Sequence, residues 1–266
     1  MTRPPIPSEH GAWMMLYGPM GIALGGVGVV NFVPTALVVV LVSTAFLGQH
    51  AAGLIYRGRS STGTGFWFGF HVLLFLACSS VLILYYGHSE LIWIGLVAAL
   101  FFSRQVLKVW RSQKRVDHSV FGEIAAVGAM ALTGPTAYLV QIGTVDRVAA
   151  AIWLVCILYF GASVFYVKMR VRTAASKTDL SPQLRWNLGR DLVFYQLFVI
   201  VLIGALAAAQ SAFTIVLLGF LPSWIRSFWG WAKLETGSLS LVRIGVGEIC
   251  YSVWFCAACI AALRTM

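Results

Sequence analysis

Long apolar runs follow one another along this chain with only short polar joints between them, and that succession confines the fold to one built in hydrocarbon. The runs cover residues 13–30, 35–56, 66–86, 91–102, 122–140, 148–167, 192–209, 213–227 and 242–263. At about 20 apolar residues per crossing, they predict an all-α polytopic membrane protein with about nine transmembrane helices, forming a single integral membrane domain over residues 1–266. With 59% hydrophobic and 11% charged positions, the chain has too little polar surface to cover a water-soluble globule. A separate soluble domain, a nucleic-acid-binding module and a Rossmann or barrel enzyme are therefore excluded. The formal net charge of +10 is read as topology and contact with anionic lipid headgroups, with no nucleic acid as partner.

Orientation follows from the cations. If the N-terminus is cytoplasmic, seventeen of the 19 Lys and Arg fall in inner loops or at inner helix ends, and only Arg147 and Arg264 fall outside. A missed or invented span would scramble that sorting, so it supports both the count and the direction. No small-residue cleavage site follows the first apolar run, which is expected to stay as a span. Pro4, Pro5, Pro7 and Pro34 precede or open spans, whereas Pro19, Pro135 and Pro222 fall inside or near the end of spans, where a kink frees backbone groups and can shape a cavity. Arg104, Lys108, Arg111 and Arg115 recur at spacings of four, three and four and share one face of a helix leaving span four, either a surface that binds headgroups or the wall of a pocket. The five cysteines lie within spans among small apolar residues and are expected as packing, not as a redox or zinc centre.

Ionisable groups are costly inside a bilayer, so their depth is informative. Glu9 and His10 stand at the start of span one, Gln49 and His50 end span two, and His71 lies early in span three. Glu123 opens span five, Lys168 closes span six, Asp191 opens span seven and Glu248 lies just inside span nine. Tyr159, Ser163 and Tyr166 extend a polar stripe along span six towards Arg170. Any one of these has a structural explanation, such as a carboxylate favoured by a helix N-terminus or a snorkelling lysine. Their coincidence at one depth in seven spans points to a polar cavity facing the cytoplasm.

Four short stretches carry a family resemblance: Pro7-Ser8-Glu9-His10-Gly11-Ala12-Trp13, Phe121-Gly122-Glu123, Ser163-Val164-Phe165-Tyr166-Val167 and Val242-Arg243-Ile244-Gly245-Val246-Gly247-Glu248. Together they resemble the YwiC-like family of bacterial membrane proteins, which implies a multi-pass protein of the bacterial inner (cytoplasmic) membrane. Nine helices with the polar groups on the cytoplasmic side also resemble the UbiA superfamily of membrane prenyltransferases, and imply a UbiA-like bundle. Those enzymes hold magnesium on a prenyl diphosphate with two Asp-rich motifs after the second and sixth spans. The corresponding stretches here, 48–57 and 159–168, contain no aspartate. Two or more carboxylates are needed to hold such an ion, so no metal site is expected.

The function expected on these grounds is binding of an isoprenoid, quinone-like or other lipid at a cytoplasm-facing cavity, with transferase chemistry that lacks Asp-rich motifs as one form of it. A polar or anionic head would lie among Arg57, Arg104, Lys108 and Lys168, with His71, Tyr166, Asp191 and Glu248 as further ligand contacts. Glu9, His10, His50 and Glu123 are the candidate acids and bases, since imidazole titrates near neutrality and a buried carboxyl can be raised towards it. Two alternatives stay open: an accessory subunit or assembly factor of a respiratory complex, with membrane partner subunits, and a transporter or haem-bearing electron carrier using His50 with His71.

Overall fold

The computed structural model describes residues 4–7, 10–111, 120–176, 181–234 and 241–266, with side chains except at positions 10, 102–111, 120, 121, 241 and 243. The helices are α1 (His10–Val27), α2 (Phe32–Tyr56), α3 (Thr64–Ser80, continued by a π-helical turn Val81–Tyr85), α4 (Leu91–Arg111), α5 (Val120–Ala131), α6 (Thr133–Ile142), α7 (Arg147–Ala174), α8 (Pro182–Ala209), α9 (Ala212–Ala232) and α10 (Leu241–Leu263). Among the described residues there is no strand, and seven helical stretches are long and apolar enough to cross a membrane. Adding α1 and the shorter apolar stretch Leu91–Phe101 gives nine helical units among the described residues, the number of apolar runs in the sequence. Several helices run past the expected ends: α4 continues unbroken to Arg111, and α7 and α9 each gain a turn or more.

α5 and α6 together make one pass, Gly122–Ile142, and it is the most enclosed, 78% buried against 17% for α3. The pass breaks at Leu132 because Pro135 has no N–H to give the carbonyl of Ala131. The chain tightens there, with the Leu132 N–H on Ala129 O and the Thr136 hydroxyl on Leu132 O. Around this pass the bundle closes through α1, α10, α9, α8 and α7, while α2 and α3 pair with each other at one side. α7 runs through the centre. Its Tyr159 ring stacks on Phe255 of α10, centroids 3.8 Å apart, and meets Phe220 of α9 edge-on at 5.6 Å.

The joints are stapled by polar groups that would otherwise be unmet. Asp146 caps α7 by accepting from the Val148 and Ala149 N–H groups, and also accepts from the Tyr138 hydroxyl at 2.9 Å. Gly143 ends α6 in the left-handed region, φ +90°, where its N–H reaches Leu139 O. Gln141 of α6 accepts from the Val30 and Asn31 N–H groups and donates to Thr35, which ties the turn between α1 and α2 to the centre.

Where α1, α6 and α7 cross, a Cβ on Gly134 would lie 2.7 Å from Ile152 Cγ2 and 3.2 Å from Pro19 Cβ. Gly134→Val should therefore push these helices apart and destabilise the bundle by about 1–3 kcal/mol, the usual cost of overpacking. Thermal unfolding of the detergent-solubilised protein checks this, with Gly11→Ala, where a Cβ meets nothing within 4 Å, as the neutral control.

Candidate functional site

Among the described residues, two ion pairs have both side chains less than a third exposed. Lys168 of α7 meets Glu123 of α5 at 3.1 Å, with side chains 13% and 31% exposed. Arg226 of α9 pairs with Glu248 of α10, and these side chains are more deeply enclosed, 10% and 13% exposed. Arg226 lies six residues before the end of α9 and Glu248 seven after the start of α10. At 1.5 Å per residue, both are about 10 Å inside their helix ends. An ionised pair at that depth needs partners beyond each other to offset its desolvation.

Aromatic faces supply part of that. The guanidinium of Arg226 lies 4.3 Å from the Tyr166 ring centroid and 5.0 Å from that of Tyr251, so the cation is held between the electron-rich faces of α7 and α10. Gly230, one turn beyond Arg226 on α9, makes room for this, since a Cβ there would lie 2.8 Å from the Tyr166 ring. Among the described residues, Arg226 Nε and Nη2 and Glu248 Oε2 have no hydrogen-bond partner, and neither do the buried hydroxyls of Ser163 and Ser223. Unmet polar atoms grouped in this way are unusual in a folded interior.

Beside the pair runs a groove of about 610 Å³. Tyr166, Arg226 and Tyr251 supply its polar lining, and Leu218, Leu221, Pro222, Ile225, Trp229 and Trp254 its apolar walls. Pro222 helps shape it: without an N–H it leaves the Leu218 carbonyl free, and Trp254 of α10 donates its indole N–H to that oxygen at 3.2 Å. Ile225, Trp229 and Trp254 are more than half exposed, so the groove opens onto the side of the bundle that lipid chains would cover. Its volume is within the range of small-molecule sites.

The residues expected from sequence divide into groups. Tyr166 and Glu248 come together, joined by Arg226. Glu123 and Lys168 come together as an ion pair one layer away. Asp191 is half exposed on α8, facing Arg172 at 3.5 Å and Arg190 at 3.7 Å. Arg57 is exposed at the end of α2. His71 is buried on α3 among Trp67 and Phe70, with both ring nitrogens lacking a hydrogen-bond partner among the described residues. The surface of α2 that meets His71 is Gly48, and His50 lies two residues on, about 200° around the helix. Glu9 lies outside the described residues, as do the side chains of His10, Arg104 and Lys108.

Arg226 and Tyr251 are the members that sequence reasoning passed over. The available signal was depth: Arg226 follows Pro222-Ser223-Trp224-Ile225 and precedes Phe228 and Trp229, so the apolar helix continues on both sides of it.

The family model described as YwiC-like protein matches residues 6–138, which takes in α1 to α5 and most of α6. A relative from Bacillus subtilis (strain 168), named "Uncharacterized protein YwiC", is 25% identical over 244 residues, covering 90% of this chain and 92% of its own, so the likeness continues through the helices that bear the groove. No solved structure matches the chain. With half of the chain matched by the family model, and a relative aligned along nearly all of it, this multi-pass membrane protein belongs to the YwiC-like family.

Proposed function

We propose that the groove between α7, α9 and α10 binds an isoprenoid- or quinone-like lipid, with its tail along the apolar walls and its head at Arg226 and Glu248. One observation carries this: a buried ion pair with unmet hydrogen-bonding atoms has its Arg226 on the lining of a mostly apolar groove that opens sideways from the bundle. Ionisable groups inside a membrane mark ligand or ion pathways far more often than they serve packing. Of the cations expected from sequence, Lys168 is engaged by Glu123 and Arg57 is exposed on a turn, and the proposal gives the headgroup Arg226 instead of these two. Among the described residues no aspartate lines the groove; the proposal has the headgroup held by the chain's own side chains, so binding should survive a chelator.

Lipid extracted from the protein purified in mild detergent, identified by mass spectrometry, tests the proposal. A long-chain isoprenoid should co-purify with the parent protein and be lost from Ile225→Trp, which fills the groove without touching the ion pair. Only bulk membrane phospholipid in both would contradict it.

The same proposal sets the orientation. Because the sequence assigns seventeen of its 19 cations to inner loops or inner helix ends, the N-terminus is read as facing the cytoplasm of a bacterial inner membrane, which puts the Arg226 side of the groove in the inner leaflet. A reporter fused after Met266 should then read the outside, and one inserted at residues 108–115 should read the cytoplasm; the reverse pattern in either would overturn the orientation.

A further inference from the structure

Resting on lipid binding at the groove, we infer that its headgroup is uncharged and carries a hydroxyl, as in a prenyl alcohol or a quinol, and that a prenyl diphosphate is excluded. The charge of the site argues for this first. Among the described residues Arg226 is the one cation lining the groove, and its charge is already matched by Glu248. A phosphate at the guanidinium would have to displace the carboxylate, leaving Glu248 ionised and alone with its side chain 13% exposed, a penalty that a neutral head does not incur.

Hydrogen-bonding capacity argues for it independently. The pair uses Arg226 Nη1 and Glu248 Oε1 on each other, and leaves two donors, Nε and Nη2, and one acceptor, Oε2, without partners among the described residues. A hydroxyl complements that set, because it can accept from the guanidinium with its oxygen and donate its proton to the carboxylate. A phosphate is an acceptor only and would face Oε2 with like charge. The rings of Tyr166 and Tyr251 lie against the guanidinium, and the head reaches the buried unmet atoms when one of them turns aside. Ser163 and Ser223, about one turn before Tyr166 and Arg226 on their helices, add buried hydroxyls without partners among the described residues.

Titration of a short-chain prenyl alcohol, its methyl ether and its diphosphate into detergent-solubilised protein separates the possibilities. The alcohol should bind about tenfold or more tightly than either of the others, the scale of one hydrogen bond to a charged group. Glu248→Gln, which leaves Arg226 with an unbalanced charge, should reverse the order in favour of the diphosphate. Equal binding of alcohol and ether would overturn the role of the donated proton. Tighter binding of the diphosphate by the parent protein would overturn the uncharged head while leaving lipid binding at the groove intact. Failure of all three to bind would overturn both.

Discussion

Arg226→Ala and Glu248→Ala should each destabilise the bundle by about 3–5 kcal/mol, because each leaves its partner as an uncompensated charge in a nearly closed site. The double replacement Arg226→Met with Glu248→Leu should cost less than either single change. It removes both desolvation penalties and restores apolar packing between α9 and α10, which already approach closely at Gly219, where a Cβ would lie 2.9 Å from Ala258 Cβ. Unfolding in detergent, followed for the two singles and the double, checks this. Additive losses would mean that the two residues act separately. The same double variant should no longer retain lipid, so stability and binding would part company.

Gly230→Val should have the second-largest effect. Its Cβ would stand 2.8 Å from the Tyr166 ring, and a β-branched side chain cannot retreat from the helix surface. Tyr166 must then leave the guanidinium, taking with it one face of the cation's aromatic cage. A loss of about 1–3 kcal/mol from overpacking is expected. Lipid binding should fall about tenfold, since the ring also lines the groove. Tyr166→Leu combined with Gly230→Val should recover stability by relieving the clash, yet should not recover binding.

The helical passes could be read in advance because lipid imposes a simple rule on every residue of a span. Apolar runs of sufficient length become helices whatever their tertiary neighbours are, and the basic residues sort to one end. The stripe of Tyr159, Ser163 and Tyr166 on α7 was likewise readable from spacing, since a helix places such residues on one face regardless of context. Tyr159 entered the aromatic core, while Tyr166 reached the groove. Which end of the stripe bears a ligand depends on what α9 and α10 bring to it.

The pairing of Arg226 with Glu248 was not readable in the same way. The two belong to different helices, and in sequence each resembles a residue near the end of an ordinary span, an Arg among inner cations and a Glu just inside the last span. Only the approach of α9 to α10, allowed by Gly219, and the room left at Gly230 turn them into a buried pair. Pro222 shows the same limit. A kink was expected, but the indole that satisfies the freed carbonyl comes from Trp254, on the next helix. Glu123 and Lys168 were each readable as interfacial groups, a dipole-favoured carboxylate and a snorkelling lysine, and the packing of α5 on α7 makes them partners.

Photo-crosslinking in native-like lipid nanodiscs is the most direct test of where lipid binds, using an isoprenoid alcohol with a diazirine on its tail. Peptide mapping should place the crosslinks on α9 and α10 between Leu218 and Trp229 and around Trp254. They should disappear on adding excess unlabelled alcohol and be absent from the Arg226→Met, Glu248→Leu double variant. Crosslinks spread over the other lipid-exposed surfaces, such as Phe66 and Leu73 on α3 or Phe194 and Phe198 on α8, and unaffected by competitor, would contradict a specific lipid site at the groove.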